Sequence, residues 1–179
     1  MHSCLEKKLF DTFGTARIFE KRVKKYALLT KLLSFLGLAI PTIIGLVYLA
    51  IGTISNDLKS LALILGAIQI LCFLWSIIDK WDDKHHYSIK ALQRQDELFT
   101  ELDNLAQQDE NFQDVFNRLL EKDKRYKQED ISQSISDEEI RYGTRKALYR
   151  FQLQCKICNE IPQTEKPAKD KKCDSCANF

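Results

Sequence analysis

Residues 32–78 read LLSFLGLAIPTIIGLVYLAIGTISNDLKSLALILGAIQILCFLWSII, and in this block the only Asp, Glu, Lys or Arg residues are Asp57 and Lys59. Leu32 to Ile54 is a run of 23 residues without a charge. About 20 apolar helical residues span the hydrocarbon core of a bilayer. Leu58 to Ile78 forms a second, slightly shorter run, and Lys59 near its start can extend its charged end to the interface. The connection Ser55-Asn56-Asp57 is short and polar, which makes the two runs antiparallel neighbours. Averages conceal this pattern: 45% hydrophobic residues, 29% charged residues and a mean hydropathy of -0.29 would suit a soluble helical protein. A windowed reading decides the class instead. A buried hairpin of a soluble protein is the alternative, but so small a chain has little left to cover two such segments. A secretory signal is a poor reading of the first run, which is too long, too far from the N-terminus and followed directly by a second span.

Charge separates by region. Residues 1–31 hold eight Lys or Arg against three acids, residues 79–137 nine against fifteen, and residues 138–172 nine against five. Before the first span stand Arg17, Lys21, Arg22, Lys24, Lys25 and Lys31, whereas the connection between spans offers only Lys59. The positive-inside bias therefore predicts that both termini are cytosolic. The expected organisation is a basic amphipathic helix over 1–31, a transmembrane hairpin over 32–78 (spans 32–54 and 58–78), and a cytosolic helical region over 79–126. A linker and basic helix over 127–154 and a zinc-ribbon-like knuckle over 155–176 complete it. The fold class is thus an all-α membrane protein: a two-helix transmembrane hairpin with long cytosolic helices and a small C-terminal zinc knuckle.

The helices outside the membrane block carry their own patterns. Phe10, Phe13, Arg17, Lys21 and Lys24 fit a helix with a basic side, lying on an anionic leaflet or continuing into the first span. No Gly or Pro occurs from Ile77 through Gln128. Over that stretch Ala91, Leu98, Leu102, Leu105, Phe112, Phe116 and Leu119 follow steps of seven, four and three, a coiled-coil-like seam interrupted at Gln95 and Asp109. Gln107-Gln108-Asp109-Glu110-Asn111 is alternatively a turn between two packed helices. The apolar face needs a partner, favoured here as another copy, with an intramolecular bundle close behind. A flexible linker is expected over Lys127 to Asp137. A basic amphipathic helix follows from about Asp137 to Gln154, with Ile140, Leu148 and Phe151 on its apolar side and Arg141, Arg145, Lys146 and Arg150 as candidate ligand-binding cations.

Within the membrane block, Ser34, Gly37, Pro41, Gly45, Tyr48 and Gly52 form one small-residue stripe, and Ala62, Gly66, Gln69, Cys72 and Ser76 another. Small residues allow the close packing that holds helices together in lipid. Such stripes either glue the hairpin or serve an oligomer, and two helices alone cannot enclose a channel. Gln69 near mid-membrane should face protein or water. Gln69, Gly66, Ser76 and Thr42 are the candidate pore-lining residues. Pro41 removes one backbone hydrogen bond from the first span. The juxtamembrane run Asp79, Asp82, Asp83, His85 and His86 reads as a solvated face or as a cation-attracting ring at a pore mouth. Adjacent histidines point about 100° apart on a helix and do not easily share one ion.

The most specific motif lies near the C-terminus. Cys155-Lys-Ile-Cys158 and Cys173-Asp-Ser-Cys176 are paired CxxC knuckles separated by fourteen residues. Four thiolates complete a tetrahedron, and zinc as a structural Zn2+ is the default ion for them. Two disulfides are the competing reading, disfavoured by a cytosolic location, and a rubredoxin-like iron site is a third. Cys155, Cys158, Cys173 and Cys176 would close the coordination shell, which argues against catalysis by the metal. The intervening Lys166, Lys169, Lys171 and Lys172 make the knuckle basic. Cys72 is read as helix packing, and Cys4 has no assignment. There is no phosphate-cradling Gly-rich loop and no nucleophile with a partner base, and His2, His85 and His86 stand in no catalytic setting, so no enzymatic function is expected.

The organisation resembles a known group. A basic helix with Ala16-Arg17-Ile18 and Lys24-Lys25-Tyr26 leads into two close spans and a long cytosolic helix, as in SLATT proteins, the two-transmembrane effectors of bacterial nucleotide-signalling defence systems. The four-cysteine tail is similar to the mobilome family with paired CxxC motifs. That family is named for an eleven-residue spacer, against fourteen here. The SLATT resemblance implies a homo-oligomeric pore in the lipid bilayer. It further implies a nucleotide or oligonucleotide made by a partner nucleotidyltransferase as the gating ligand, and an anti-phage role. No ligand-binding residue carries over from that group. A membrane-tethered zinc-ribbon module that binds nucleic acid or protein is the alternative.

Overall fold

The computed structural model describes residues 2–51, 56–107, 111–166 and 173–177. The architecture is all-helical: α1 (His2–Ile51), α2 (Asn56–Ile78), α3 (Trp81–Leu105), α4 (Phe112–Asp130) and α5 (Asp137–Phe151). The chain divides into two compact units, one formed by residues 1–22 with 87–179 and the other by residues 23–86.

The first unit is a helical bundle whose core follows from sequence periodicity. Along α1, Leu5, Leu9, Thr12, Ala16 and Phe19 are buried at steps of three and four, the spacing that keeps one helix face inward. Along α3, Ser88, Ala91, Gln95, Leu98, Leu102 and Leu105 do the same. Leu5, Leu9, Leu98, Leu102, Leu105, Phe116 and Leu119 form one core, with Phe99, Phe112, Val115 and Phe151 packed against it. The expected seam is real, and its partner comes from within the chain. The apolar residues of α3 meet α1 and α4, because the chain turns between Leu105 and Phe112 and lays α4 back on α3. Asn111 takes the left-handed conformation (φ 58°) just before α4, which Asn tolerates better than most residues. Of the polar run expected to form this turn, residues 108–110 lie outside the described residues. Gln95, read as an interruption of the seam, is itself buried in it.

Ion pairs border this core. Asp123 is buried and accepts from Lys8 Nζ at 2.5 Å and Lys127 Nζ at 2.9 Å. The Tyr87 hydroxyl donates to Asp130, and Arg94 pairs with Glu129 and Asp130. These contacts carry α4 to Asp130, into the stretch expected to be a linker from Lys127 onward.

α5 starts on a capping box. Ser136 accepts from the Glu139 N–H while the Glu139 carboxylate accepts from the Ser136 N–H. The same carboxylate receives both Nε and Nη2 of Arg22, at 2.6 and 2.7 Å, and Arg22 also donates to Ser134 O. Farther along, α5 crosses α1 at a pair of glycines. A Cβ at Gly143 would stand 2.6 Å from Gly14 O and 2.9 Å from the Ile18 side chain. Its buried face is accordingly Gly143, Ala147 and Leu148, whereas Ile140, expected on the apolar side, is half exposed.

In the second unit, α1 continues without interruption through Pro41 to Ile51, and α2 runs from Asn56. The basic N-terminal segment and the first apolar run are therefore one helix. Both helices are long and apolar enough to cross a membrane, and no residue in the most apolar window of either is buried. Phe35, Leu38, Leu49, Leu63, Leu71 and Ile78 are among the large side chains left exposed. Gln69 Nε2 donates to Gly37 O at 3.4 Å. Ser55, expected to start the connection, and Gly52, expected in a stripe, lie outside the described residues.

Candidate metal centre and polar cleft

The cysteine pairs sit on two turns of like construction. After α5 ends on Gln152 in the left-handed conformation, the Cys155 N–H donates to Glu160 O at 2.9 Å, and the Asn159 N–H returns to Cys155 O at 2.8 Å. In the second turn the Ala177 N–H returns to Cys173 O at 3.0 Å. Each turn folds a CxxC so that both thiols point inward.

The four sulfurs lie within 4.8 Å of one another. Cys155 and Cys173 Sγ are 3.9 Å apart, Cys158 and Cys176 Sγ 3.7 Å. A tetrahedron with metal–sulfur bonds of about 2.3 Å has edges of about 3.8 Å. The cluster therefore has the dimensions of a four-thiolate metal site, and all four thiols are free rather than paired in disulfides. Cys155, Cys173 and Cys176 are buried, packed with Leu148, Ala177 and Phe10.

The thiols do not share one acidity. Burial pushes Cys155 up, but the backbone N–H groups of Cys158 and Ile157 outweigh it and hold the thiol at about 7. Burial raises Cys176, and the neighbouring sulfurs of Cys173, Cys155 and Cys158 raise it further. Burial raises Cys158 as well. Four thiolates crowded together repel, and a divalent cation between them removes the repulsion, which is why such a cluster favours metal.

Arg145 holds this centre to the bundle, a role the sequence did not reveal. It was expected to meet a ligand on a solvent-facing surface. Its side chain is instead buried, with Nε donating to Thr164 O and Nη1 to Cys176 O, both at 3.2 Å. One guanidinium thus ties α5 to the spacer and to the second knuckle. Its position three residues before Leu148, a buried apolar residue on the same side of α5, was the available signal.

The other expected cations are placed differently. Lys146 pairs with Glu165 and lies 5.4 Å from the Tyr142 ring. Arg141 is half-buried and Arg150 exposed. Lys169, Lys171 and Lys172 lie outside the described residues.

Of the pore-lining candidates, Gln69 and Ser76 come together. They line a cleft of about 540 Å³ with Thr30, Ser34, Gly37 and Phe73, and Asp82 and Asp83 reach the same cleft. Thr42 is exposed and bonds back to Leu38 O on its own helix at 2.7 Å. A Cβ at Gly66 or Gly45 would meet nothing within 4 Å among the described residues. His86 and Asp82 are exposed, with Nε2 and Oδ2 3.7 Å apart. Cys4 and Cys72 are free and exposed.

No curated protein and no solved structure matches this chain. A match to the family described as Mobilome CxxCx(11)CxxC protein extends over residues 2–179. The spacer between the two pairs has fourteen residues here, and each CxxC turn is closed by its own backbone hydrogen bond. With nearly the whole chain matched and all four cysteines gathered at one point, the chain belongs to the Mobilome CxxCx(11)CxxC family.

Proposed function

We propose that this protein is a membrane-embedded, oligomeric pore-forming effector of a bacterial anti-phage defence system, gated by a nucleotide or oligonucleotide from a partner nucleotidyltransferase. The observation that carries the reading is the second unit. Its two apolar helices leave their large side chains exposed, which water penalises and lipid does not. They nevertheless share a cleft lined by Thr30, Ser34, Gln69 and Ser76. Gln69 meets Gly37 while Ser76 shares the cleft with Thr30, a pairing in opposite chain directions that supports a transmembrane hairpin. Gly45 and Gly66, where an added Cβ would meet nothing within 4 Å among the described residues, supply close-approach positions for further copies.

The basic flanks support a placement of the α1 start and the metal centre on the cytoplasmic side of the inner membrane. Zn2+ is the proposed ion because it suits four thiolates and undergoes no redox change. The ligand would meet cations of α5 among Arg141, Lys146 and Arg150, where a phosphate competes with Glu165 for Lys146. Arg145 would pass the change on to the metal centre. The similarity to SLATT effectors supports the defence role, and no catalytic step is assigned.

A membrane-tethered metal-knuckle module is the second reading. It is favoured by Leu153, Ile157 and Ile161, which remain exposed around the first knuckle. Ion leakage from liposomes carrying the purified protein, with and without candidate nucleotides, separates the two. Nucleotide-dependent leakage is expected. Tight liposomes under every condition, from folded and oligomeric protein, would leave the tethered module as the function.

A further inference from the structure

Pro41 lies inside α1 and has no N–H. In an α-helix the N–H of residue 41 would bond the carbonyl of residue 37. Gly37 O therefore lacks its helical donor, on the wall of the cleft that α1 shares with α2. The Gln69 side chain of α2 donates Nε2 to this same carbonyl, at 3.4 Å. The two helices are close here: a Cβ built at Gly37 would lie in van der Waals contact with Gln69 Nε2, at 3.6 Å.

We propose that Gln69 is the substitute donor for the carbonyl that Pro41 leaves unpaired, and that this bond is the polar latch joining α1 to α2. Three features meet at one point: a proline that frees a carbonyl, a glycine at that carbonyl, and an amide on the facing helix that satisfies it. In apolar surroundings neither an orphaned carbonyl nor an unpaired amide is tolerated cheaply, so each explains the presence of the other. Gln69 is then a positioning residue that fixes the register of the two helices. The latch is independent of any conducting role, since an inert anchor would need it equally.

A mutant cycle on the full-length protein in mild detergent tests this. Gln69→Met removes the amide, and Pro41→Ala restores a backbone N–H to Gly37 O. Gln69→Met is expected to lower the midpoint of unfolding by added SDS in the parent protein. In the Pro41→Ala background the same change should shift the midpoint by less than about half as much. Gln69→Asn, one methylene short of the carbonyl, keeps the polarity and replaces Gln69→Met if that variant does not fold. As a second readout, the Gly37 carbonyl carbon resonance should move when the amide is removed from the parent, and hold still when it is removed from Pro41→Ala. Equal midpoint shifts in both backgrounds, or a Gly37 resonance that ignores the amide, would overturn the latch. Neither measurement depends on a pore, so silent liposomes would leave this result standing.

Discussion

Arg145 illustrates how far a side chain's role depends on what surrounds it. In the sequence it is one of four cations on a helix. In the structure it is buried against two main-chain carbonyls, one of them belonging to the metal-site residue Cys176. Groups that orient metal ligands from behind typically change metal affinity by about 10–100-fold when removed. Arg145→Met should therefore speed metal loss to a chelator by about tenfold, read with a chromogenic metal indicator. Lys at this position should restore little, because a single ammonium cannot reach both carbonyls in the manner of the planar guanidinium. Glu139 offers a prediction in pH. Burial pushes its carboxyl up, but Arg22 and the Ser136 backbone outweigh burial and hold it below the ordinary carboxylate value of 4.5. Asp123 behaves alike: Lys8 and Lys127 overcome burial and hold it below 3.8. A lowered carboxyl pKa means that the folded state binds protons less readily than the unfolded chain. Both pairs thus contribute fully above these ordinary values and are lost as pH falls through the lower, folded ones. The thermal midpoint should drop as pH falls below the ordinary carboxylate value of 4.5, and Arg22→Gln should flatten that drop.

At the crossing of α1 and α5 the two helices meet backbone to backbone. Gly143 presses on the main chain of Gly14, where a Cβ would stand 2.6 Å from a carbonyl oxygen. Backbone cannot rotate away as a side chain can, so Gly143→Ala should destabilise the bundle by about 1–3 kcal/mol, measured by denaturant unfolding. Gly66→Ala meets nothing within 4 Å among the described residues and should leave the stability of the isolated chain unchanged. The seam of α3 shows how one pattern serves two outcomes. Steps of seven, four and three identify an apolar face without saying which helix covers it. Leu98, Leu102 and Leu105 are satisfied by Leu5, Leu9, Phe116 and Leu119 of the same chain. A partner copy is not required to bury that face.

At the level of the assembled chain, α1 contributes to both units: its first part packs in the bundle, and its later part carries exposed apolar residues. The later part of α1 is long and apolar enough to cross a membrane, and the proposed membrane placement predicts its behaviour on extraction. Membranes washed with alkaline carbonate should retain the protein. Substituting Lys for both Leu63 and Ile70 on the exposed face of α2 should move most of it to the soluble or aggregated fraction, because charge at mid-bilayer is costly. Release of the parent protein by the wash would remove the membrane placement.

The sequence by itself determined the helical class, the two apolar runs and the four cysteines of the metal centre. These rest on local periodicity, charge and spacing, which any short window contains. Only the tertiary structure decided that α3 and α4 fold back on α1, that Gly143 meets Gly14, and that Arg145 faces inward. It also brought Gln69 to the carbonyl freed by Pro41. Each of these joins residues distant along the chain, and their meeting depends on helix crossings that no local pattern encodes. The physical cause is the same throughout: burying a polar group or a glycine face is favourable only when a specific partner fills the space opposite.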